Sequence, residues 1–277
     1  MKEPIRVLSD LHLGHRVSRI VQVESLRPLI AGAGTVIFNG DTWQELATPF
    51  KERSSLMLED LRTMCREEGA EAIFLSGNHD PGWDGPGWIE LEEKRILITH
   101  GDALFFSGSP WSREALNRRQ RIAALWREHR AAECHAGERL RLAREIARSL
   151  VPPHFPKGKK LWQRMWEAAH PPSRAFHMLH SWLTQADAAV DFAEQFFPKA
   201  EIILIGHFHL PGLWEKRGRT VINTGAFLPP CKAWCVEIKS GWVSCSRIAE
   251  TPDACTLEPA FVHWRFSSRS TGVPPVS

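Results

Sequence analysis

The sequence contains no apolar run approaching the ~18–20 residues needed to span a bilayer, so no transmembrane helix is expected. Met1-Lys2-Glu3-Pro4-Ile5-Arg6 carries charge with no apolar stretch behind it, so no secretory leader is expected either. Cys65, Cys134, Cys231, Cys235, Cys245 and Cys255 include no Cys-x-x-Cys pair, which argues against a small disulfide framework. Reduced, buried thiols are the expectation, with a zinc site at Cys231 and Cys235 left open. Internal repeats and collagen-like, coiled or disordered composition are also missing. Tyrosine is absent beside 12 tryptophans, a bias the sequence does not explain. What remains is a cytoplasmic globular protein whose 277 residues, 43% of them apolar, can bury a large core.

Charge is unevenly placed. Ser112 to Arg174 holds 15 Lys/Arg against 6 Asp/Glu, and the net +3 of the chain leaves −6 for the rest. An anionic partner for that segment is the direct expectation.

Five short apolar runs, each the signature of a strand buried on both faces, end in polar residues. Ile5–Leu8 ends in Ser9-Asp10, Thr35–Phe38 in Asn39-Gly40-Asp41, and Ala72–Leu75 in Ser76-Gly77-Asn78-His79. Ile96–Ile98 ends in Thr99-His100-Gly101-Asp102, and Ile202–Ile205 in Gly206-His207. Helical spacing is expected over 17–31 and over 51–68, where Leu58, Leu61 and Cys65 share a face. In an open α/β sheet ligands gather beyond the strands' carboxyl ends, so one rim is expected to receive all five polar clusters. Beyond Gly206, runs at 220–222, 234–238 and 242–245 suggest a second sheet, with a hairpin at Lys239-Ser240-Gly241.

Between the fourth and fifth clusters lie four expected helices. The first is capped by Ser112 and runs to His135, the second spans Glu138–Leu150, the third Leu161–Ala169, and the fourth is capped by Ser173. The fourth carries an apolar stripe of Phe176, Leu179, Leu183, Ala186, Val190 and Phe197. The expected organisation is one domain over 1–266 with a helical cap inserted at 112–197, then a disordered tail at 267–277.

The polar clusters carry the chemistry. Asp10-x-His12 and His207-x-His209 each place two ligand-type side chains on one side of an extended segment. Asp41, Asn78 and His100 complete a set of carboxylate, amide and imidazole donors that suits Mn, Fe or Zn better than Mg or Ca. Seven donors exceed the need of one ion and suit two ions sharing a carboxylate, an arrangement that clamps both oxygens of an in-line displacement.

Asp10-x-His12, Gly40-Asp41, Gly77-Asn78-His79-Asp80, His100-Gly101-Asp102 and Gly206-His207-x-His209 together resemble the five motifs of calcineurin-like metallophosphoesterases. The resemblance implies a four-layer α/β-β/α sandwich. It implies two divalent ions, manganese foremost: one held by Asp10, His12, Asp41 and His209, the other by Asp41, Asn78, His100 and His207. It further implies attack by a hydroxide bridging the ions, with His79 as a proton donor to the phosphate or leaving group and Asp80 orienting His79.

A helical insert at this point is similar to that of the UDP-2,3-diacylglucosamine hydrolases, which cleave a pyrophosphate as peripheral inner-membrane proteins. This chain departs from them in having His79 where arginine is usual. It also reads Ala103-Leu104-Phe105-Phe106-Ser107-Gly108 where they carry a Cys-Thr-Asp-Asp-like stretch. The expected partner is an anionic, phosphate-containing substrate, with lipid or membrane contact through the cap. In that cap the Lys157-Gly158-Lys159-Lys160 loop and Trp111, Trp126, Trp162, Trp166 and Trp182 are the candidate contacts. The competing readings are a nuclease, whose basic helices would neutralise backbone phosphates, and a non-catalytic binding scaffold on the same fold.

Overall fold

Alternation along the strands sorts the apolar side chains into three cores, and these set the layering. In the computed structural model, residues 1–151, 172–251 and 253–265 are described. One sheet is built on three parallel strands, β1 (Ile5–Leu8), β2 (Thr35–Asn39) and β3 (Glu71–Leu75). It continues from β1 through antiparallel β9 (Trp234–Lys239), β10 (Trp242–Glu250) and β11 (Cys255–Leu257), with β12 (Val262–Arg265) also on β10. The other sheet runs β4 (Trp88–Leu91), β5 (Ile96–Thr99), β6 (Ile202–Ile205), β8 (Arg219–Asn223), β7 (Gly212–Lys216). Its three central strands are parallel and its two edge strands antiparallel.

Ile5, Val7, Ile37, Ile96, Ile98, Ile202, Leu204 and Ile222 meet in the core between the sheets. Their chain neighbours face outward, because successive strand residues point to opposite faces. Leu8, Val36 and Phe38 pack under Met57, Leu61 and Cys65 of helix α2 (Thr48–Glu67), behind the short α1 (Arg27–Ile30). Leu97, Ile203, Ile205 and Val221 pack under Ala186, Ala189, Val190 and Ala193 of helix α6 (Pro172–Phe196). The order is helix, sheet, sheet, helix, the expected four layers. Each fully buried Leu or Ile contributes about 1.5–3 kcal/mol, so both faces of every central strand hold the stack together. Helix α2 starts with Pro49 in its first turn and stops at Gly69, whose φ of +70° ends the helix as Ala70 N donates to Cys65 O.

Several expectations are corrected. The five motif-bearing strands do not share one sheet: β1, β2 and β3 lie in the first, β5 and β6 in the second. The later strands divide likewise, β8 joining β6 while β9 and β10 join β1. The helix expected over 17–31 shrinks to a 3-10 turn at Val23–Leu26 followed by α1. Arg19 there crosses to Glu250 and to the carbonyls of Ala226 and Cys231, which holds its segment as a loop.

The single helix expected from Ser112 breaks at Arg118 (φ −107°, ψ 21°) into α3 (Arg113–Asn117) and α4 (Arg119–Glu128). Ser112 does cap the first, its Oγ accepting from Ala115 N at 2.9 Å. Helix α5 (Ala136–Ser149) follows. Ser173 falls inside α6 and does not cap it. Half of the α6 stripe is buried, but Phe176, Leu179 and Leu183 are exposed. The buried half forms the outer layer of the second sheet, so that part of 112–197 is scaffold and not cap. Cys134 is exposed, against the expectation of buried thiols. The expected helix at 161–169, the Lys157–Lys160 loop, Trp162, Trp166 and the tail lie outside the described residues. Among the described residues no helix is long and apolar enough to cross a membrane.

Candidate metal centre

The two sheets present their parallel strand ends to a common floor. Asp10 and His12 follow β1, Asp41 follows β2, and Asn78, His79 and Asp80 follow β3. His100 follows β5, while His207 and His209 follow β6. The loops after β1 and β2 remain paired, with Asp10 N donating to Gly40 O (3.1 Å) and His12 N to Asp41 O (2.9 Å). Asp10, His12, Asp41, His207 and His209 all take the left-handed backbone, at φ of 53°, 48°, 50°, 64° and 59°. Asp and His tolerate that region better than most residues, yet it is uncommon for any side chain. Gly206 and Gly77 allow the strand ends to close in: a Cβ on the first would strike the Asp10 carboxylate, and on the second the Asp41 carboxylate.

Two clusters result, and they share a residue. Asp10, His12, Asp41 and His209 bring one potential ligand atom each to within 4.8 Å of one another, and Asp41, His100 and His207 do the same. His209 Nε2 stands 3.3 Å from Asp10 Oδ1, and His100 Nε2 stands 3.4 Å from Asp41 Oδ1. His12 Nε2 is 3.8 Å from a carboxylate oxygen of both Asp10 and Asp41.

Several atoms here are arranged for a cation. Asp10 Oδ1, Asn78 Oδ1 and His100 Nε2 are buried without a hydrogen-bond partner among the described residues, which is costly unless something positive sits against them. His12 Nε2 and His209 Nε2 face each other at 3.3 Å. The far sides of the rings are satisfied. His100 Nδ1 donates to Asn39 O (2.9 Å), which turns Nε2 toward Asp41 as the atom that a cation would take in place of a proton, and His207 Nε2 donates to Gly108 O (3.2 Å), leaving Nδ1. Each carboxylate also accepts from backbone: Asp10 Oδ2 from His207 N at 3.0 Å, Asp41 Oδ1 from His79 N at 2.8 Å. These donor atoms suit two cations that share Asp41.

The electrostatics agree. Burial works to raise the Asp10 carboxyl, but the His12 and His209 rings beside it and the charge of His100 outweigh that and hold it below the usual range. For Asp41 the burial penalty is likewise overcome, chiefly by the charge of His100. Burial keeps His207 at about 3, so its ring is neutral and ready to ligate. Asp80 is a different case. Burial, then the Asp41 charge, push it up to about 8, yet its oxygens accept from the backbone N–H of Asp41 (2.9 Å), Thr42 (2.8 Å) and Gly77 (2.9 Å) and from Trp83 Nε1 (3.1 Å). Only donors surround it, so the geometry holds the carboxylate form.

Six of the seven expected ligand residues meet in the two clusters, and the seventh, Asn78, has its Oδ1 buried without a hydrogen-bond partner among the described residues; Asp80 bonds to backbone rather than to His79. No hydrogen bond among the described residues joins Asp80 to the His79 ring; it ties the loop after β2 to the loop after β3. Gln44 was missed. Its amide is buried and lies 3.0 Å from both His12 Nδ1 and His79 Nδ1. A glutamine three residues past Asp41 gives no signal in a sequence, since only the fold brings it between two rings.

A double sheet under helical layers, with carboxylates and imidazoles delivered from strand ends to two adjoining clusters, defines a metal-dependent phosphoesterase. The family described as calcineurin-like phosphoesterase matches residues 3–211, a span that includes all five motifs, and the chain belongs to that family. Similar solved structures include a conserved Streptococcus pneumoniae TIGR4 protein described as a predicted phosphoesterase (18% identity, 96% of this chain and 98% of that one, TM-score 0.39). Others are the zinc complex of Vps29 from Entamoeba histolytica (15%, 92% and 96%, 0.43) and a dimetal phosphatase from Danio rerio (11%, 92% and 99%, 0.45). No curated protein matches the chain.

Asp80→Asn sets an amide N–H2 against N–H donors and strands at least one of them. A loss of about 2–3 kcal/mol is expected in urea denaturation, with metal content falling as the loops part; unchanged stability would refute the buttress.

Proposed function

We propose that the chain hydrolyses a phosphate ester or pyrophosphate bond at a pair of divalent cations, with manganese as the native metal. The observation that carries this reading is the pair of clusters sharing Asp41, with three buried ligand-type atoms lacking a hydrogen-bond partner among the described residues. Asp10, His12, Asp41 and His209 would hold one ion, and Asp41, Asn78, His100 and His207 the other. Such a pair supplies Lewis acidity to the phosphoryl oxygens and brings the pKa of water toward neutrality.

His79 is the proton donor in this reading. It belongs to neither cluster, its side chain is 38% exposed, and its Nε2 lies 3.9 Å from Asp41 Oδ2, beside the space a phosphate would occupy. Gln44 decides which nitrogen carries its proton. With His12 Nε2 turned to the carboxylates, His12 Nδ1 holds the hydrogen and needs an acceptor. A half-turn of the Gln44 amide places Oε1 there and leaves Nε2 to donate to His79 Nδ1. His79 is then the Nε2–H tautomer, with its hydrogen toward the site. One amide thus orients a ligand and a donor together.

For the substrate, the similarity of the helical segment to that of UDP-2,3-diacylglucosamine hydrolases supports a nucleotide- or lipid-linked phosphate. Three of the cations that favoured the nuclease reading are engaged within the protein. Arg139 Nε donates to Ala103 O (2.9 Å), Arg144 reaches Ser76 Oγ (3.0 Å) and Gly85 O (2.7 Å), and Arg148 reaches Pro81 O (2.9 Å). These cations fasten α5 to the sheet domain.

Manganese-dependent turnover of bis-p-nitrophenyl phosphate tests the function; a fully loaded protein inert on every ester offered would favour a binding scaffold. Asp41→Ala abolishes activity, and plasma mass spectrometry is expected to show loss from both metal positions, where normal stoichiometry would contradict the shared carboxylate. His79→Ala retains the metals while turnover falls roughly 10²–10⁴-fold. Gln44→Glu can accept from His12 but cannot donate to His79. Turnover is expected to drop about tenfold or more at unchanged metal content, and long-range proton–nitrogen NMR of the zinc form should show a proton move onto His79 Nδ1. The same His79 tautomer in both proteins would dismiss the role of Gln44.

A further inference from the structure

Beside the centre lies a cavity of about 270 Å³ whose wall includes Asn78 and His79. Leu46 lines it from the loop after β2, and Ala143, Ile146, Ala147 and Leu150 line it along α5 and its end. A dry cavity of about 150 Å³ accepts benzene, so this space holds a bicyclic ring or a medium-length alkyl chain. Among the described residues its charges are of the wrong sign for a second phosphate: the ionisable groups in the wall besides His79 are Asp102 and Glu114, with Ser107, Ser109 and Ser112 as neutral polar groups. The arginines of α5 do not line it, and Arg139, Arg144 and Arg148 are bonded elsewhere.

We propose that this cavity binds an uncharged, apolar group on the leaving alcohol of the ester. The inference rests on the phosphoesterase reading above and narrows its substrate class. The leaving side is indicated by His79, the proposed proton donor, which stands in the cavity wall, so the alcohol it protonates departs toward α5. Apolar walls favour a hydrocarbon group, and the two carboxylates disfavour a nucleotide or polyphosphate on that side.

The test uses the manganese-loaded full-length protein and a series of alkyl phosphates from methyl to octyl, with phenyl and naphthyl phosphate as the aryl arm. The expected result is a kcat/KM that rises about fourfold per methylene and levels off once the cavity is full. A steeper gain along the aryl arm assigns the cavity to rings, and a steeper gain along the alkyl arm assigns it to chains. Ala147→Phe fills the space from α5, and the octyl-to-methyl ratio is expected to collapse at least tenfold; a ratio taken within one preparation is independent of the folded fraction. Measurable turnover with flat series in both arms overturns the proposal. If no ester is turned over, the hydrolytic reading fails instead. The cavity is then judged by calorimetry, where octylphosphonate binding no tighter than methylphosphonate overturns it as well.

Discussion

Asp10 and Asp41 are buried side by side with imidazole nitrogens 3.3–3.8 Å away, and among the described residues Asp10 Oδ1 has no hydrogen-bond partner. Most of the architecture follows from keeping that arrangement in place. Each sheet contributes part of it, so the sheets must be registered against one another, and the core of Ile and Leu between them does so. The loops after the strands must approach closely, which Gly77 and Gly206 permit. Asp80 then gathers the backbone N–H groups of two such loops, so that the ligand-bearing turns move as one body.

Much of this was legible in the sequence for a simple reason. A strand covered on both faces must be apolar at every position, and a polar residue just past such a run has one place to go. That logic located Asp10, Asp41, His100 and His207 without knowledge of the fold. It could not divide the strands between two sheets, because Ile98 and Ile37 look alike whichever sheet they occupy. Arg19, Gln44 and Asp80 were misread or missed because their partners are distant in the chain or are backbone atoms, and neither leaves a periodic trace.

The basic helices illustrate a related limit. Charge counted along a chain suggests a surface that attracts anions, and the arginines of α5 suggested one. In the fold, three of them reach across to main-chain carbonyls or a hydroxyl of the sheet domain, holding the helix beside the centre. Their function is positional, and the wall they hold in place faces the site with alanine, isoleucine and leucine. What reads as electrostatic attraction from composition becomes a means of placing an apolar surface near the reacting phosphate.

The left-handed backbone at Asp10, His12, Asp41, His207 and His209 has an evolutionary side. Each such residue costs on the order of 1 kcal/mol that glycine at the same position would release. Drift to glycine at one of these positions would relieve the backbone while removing a ligand, so stability and chemistry pull in opposite directions there. A carboxylate or imidazole at all five is a standing cost in sturdiness, set against the cations those side chains can hold.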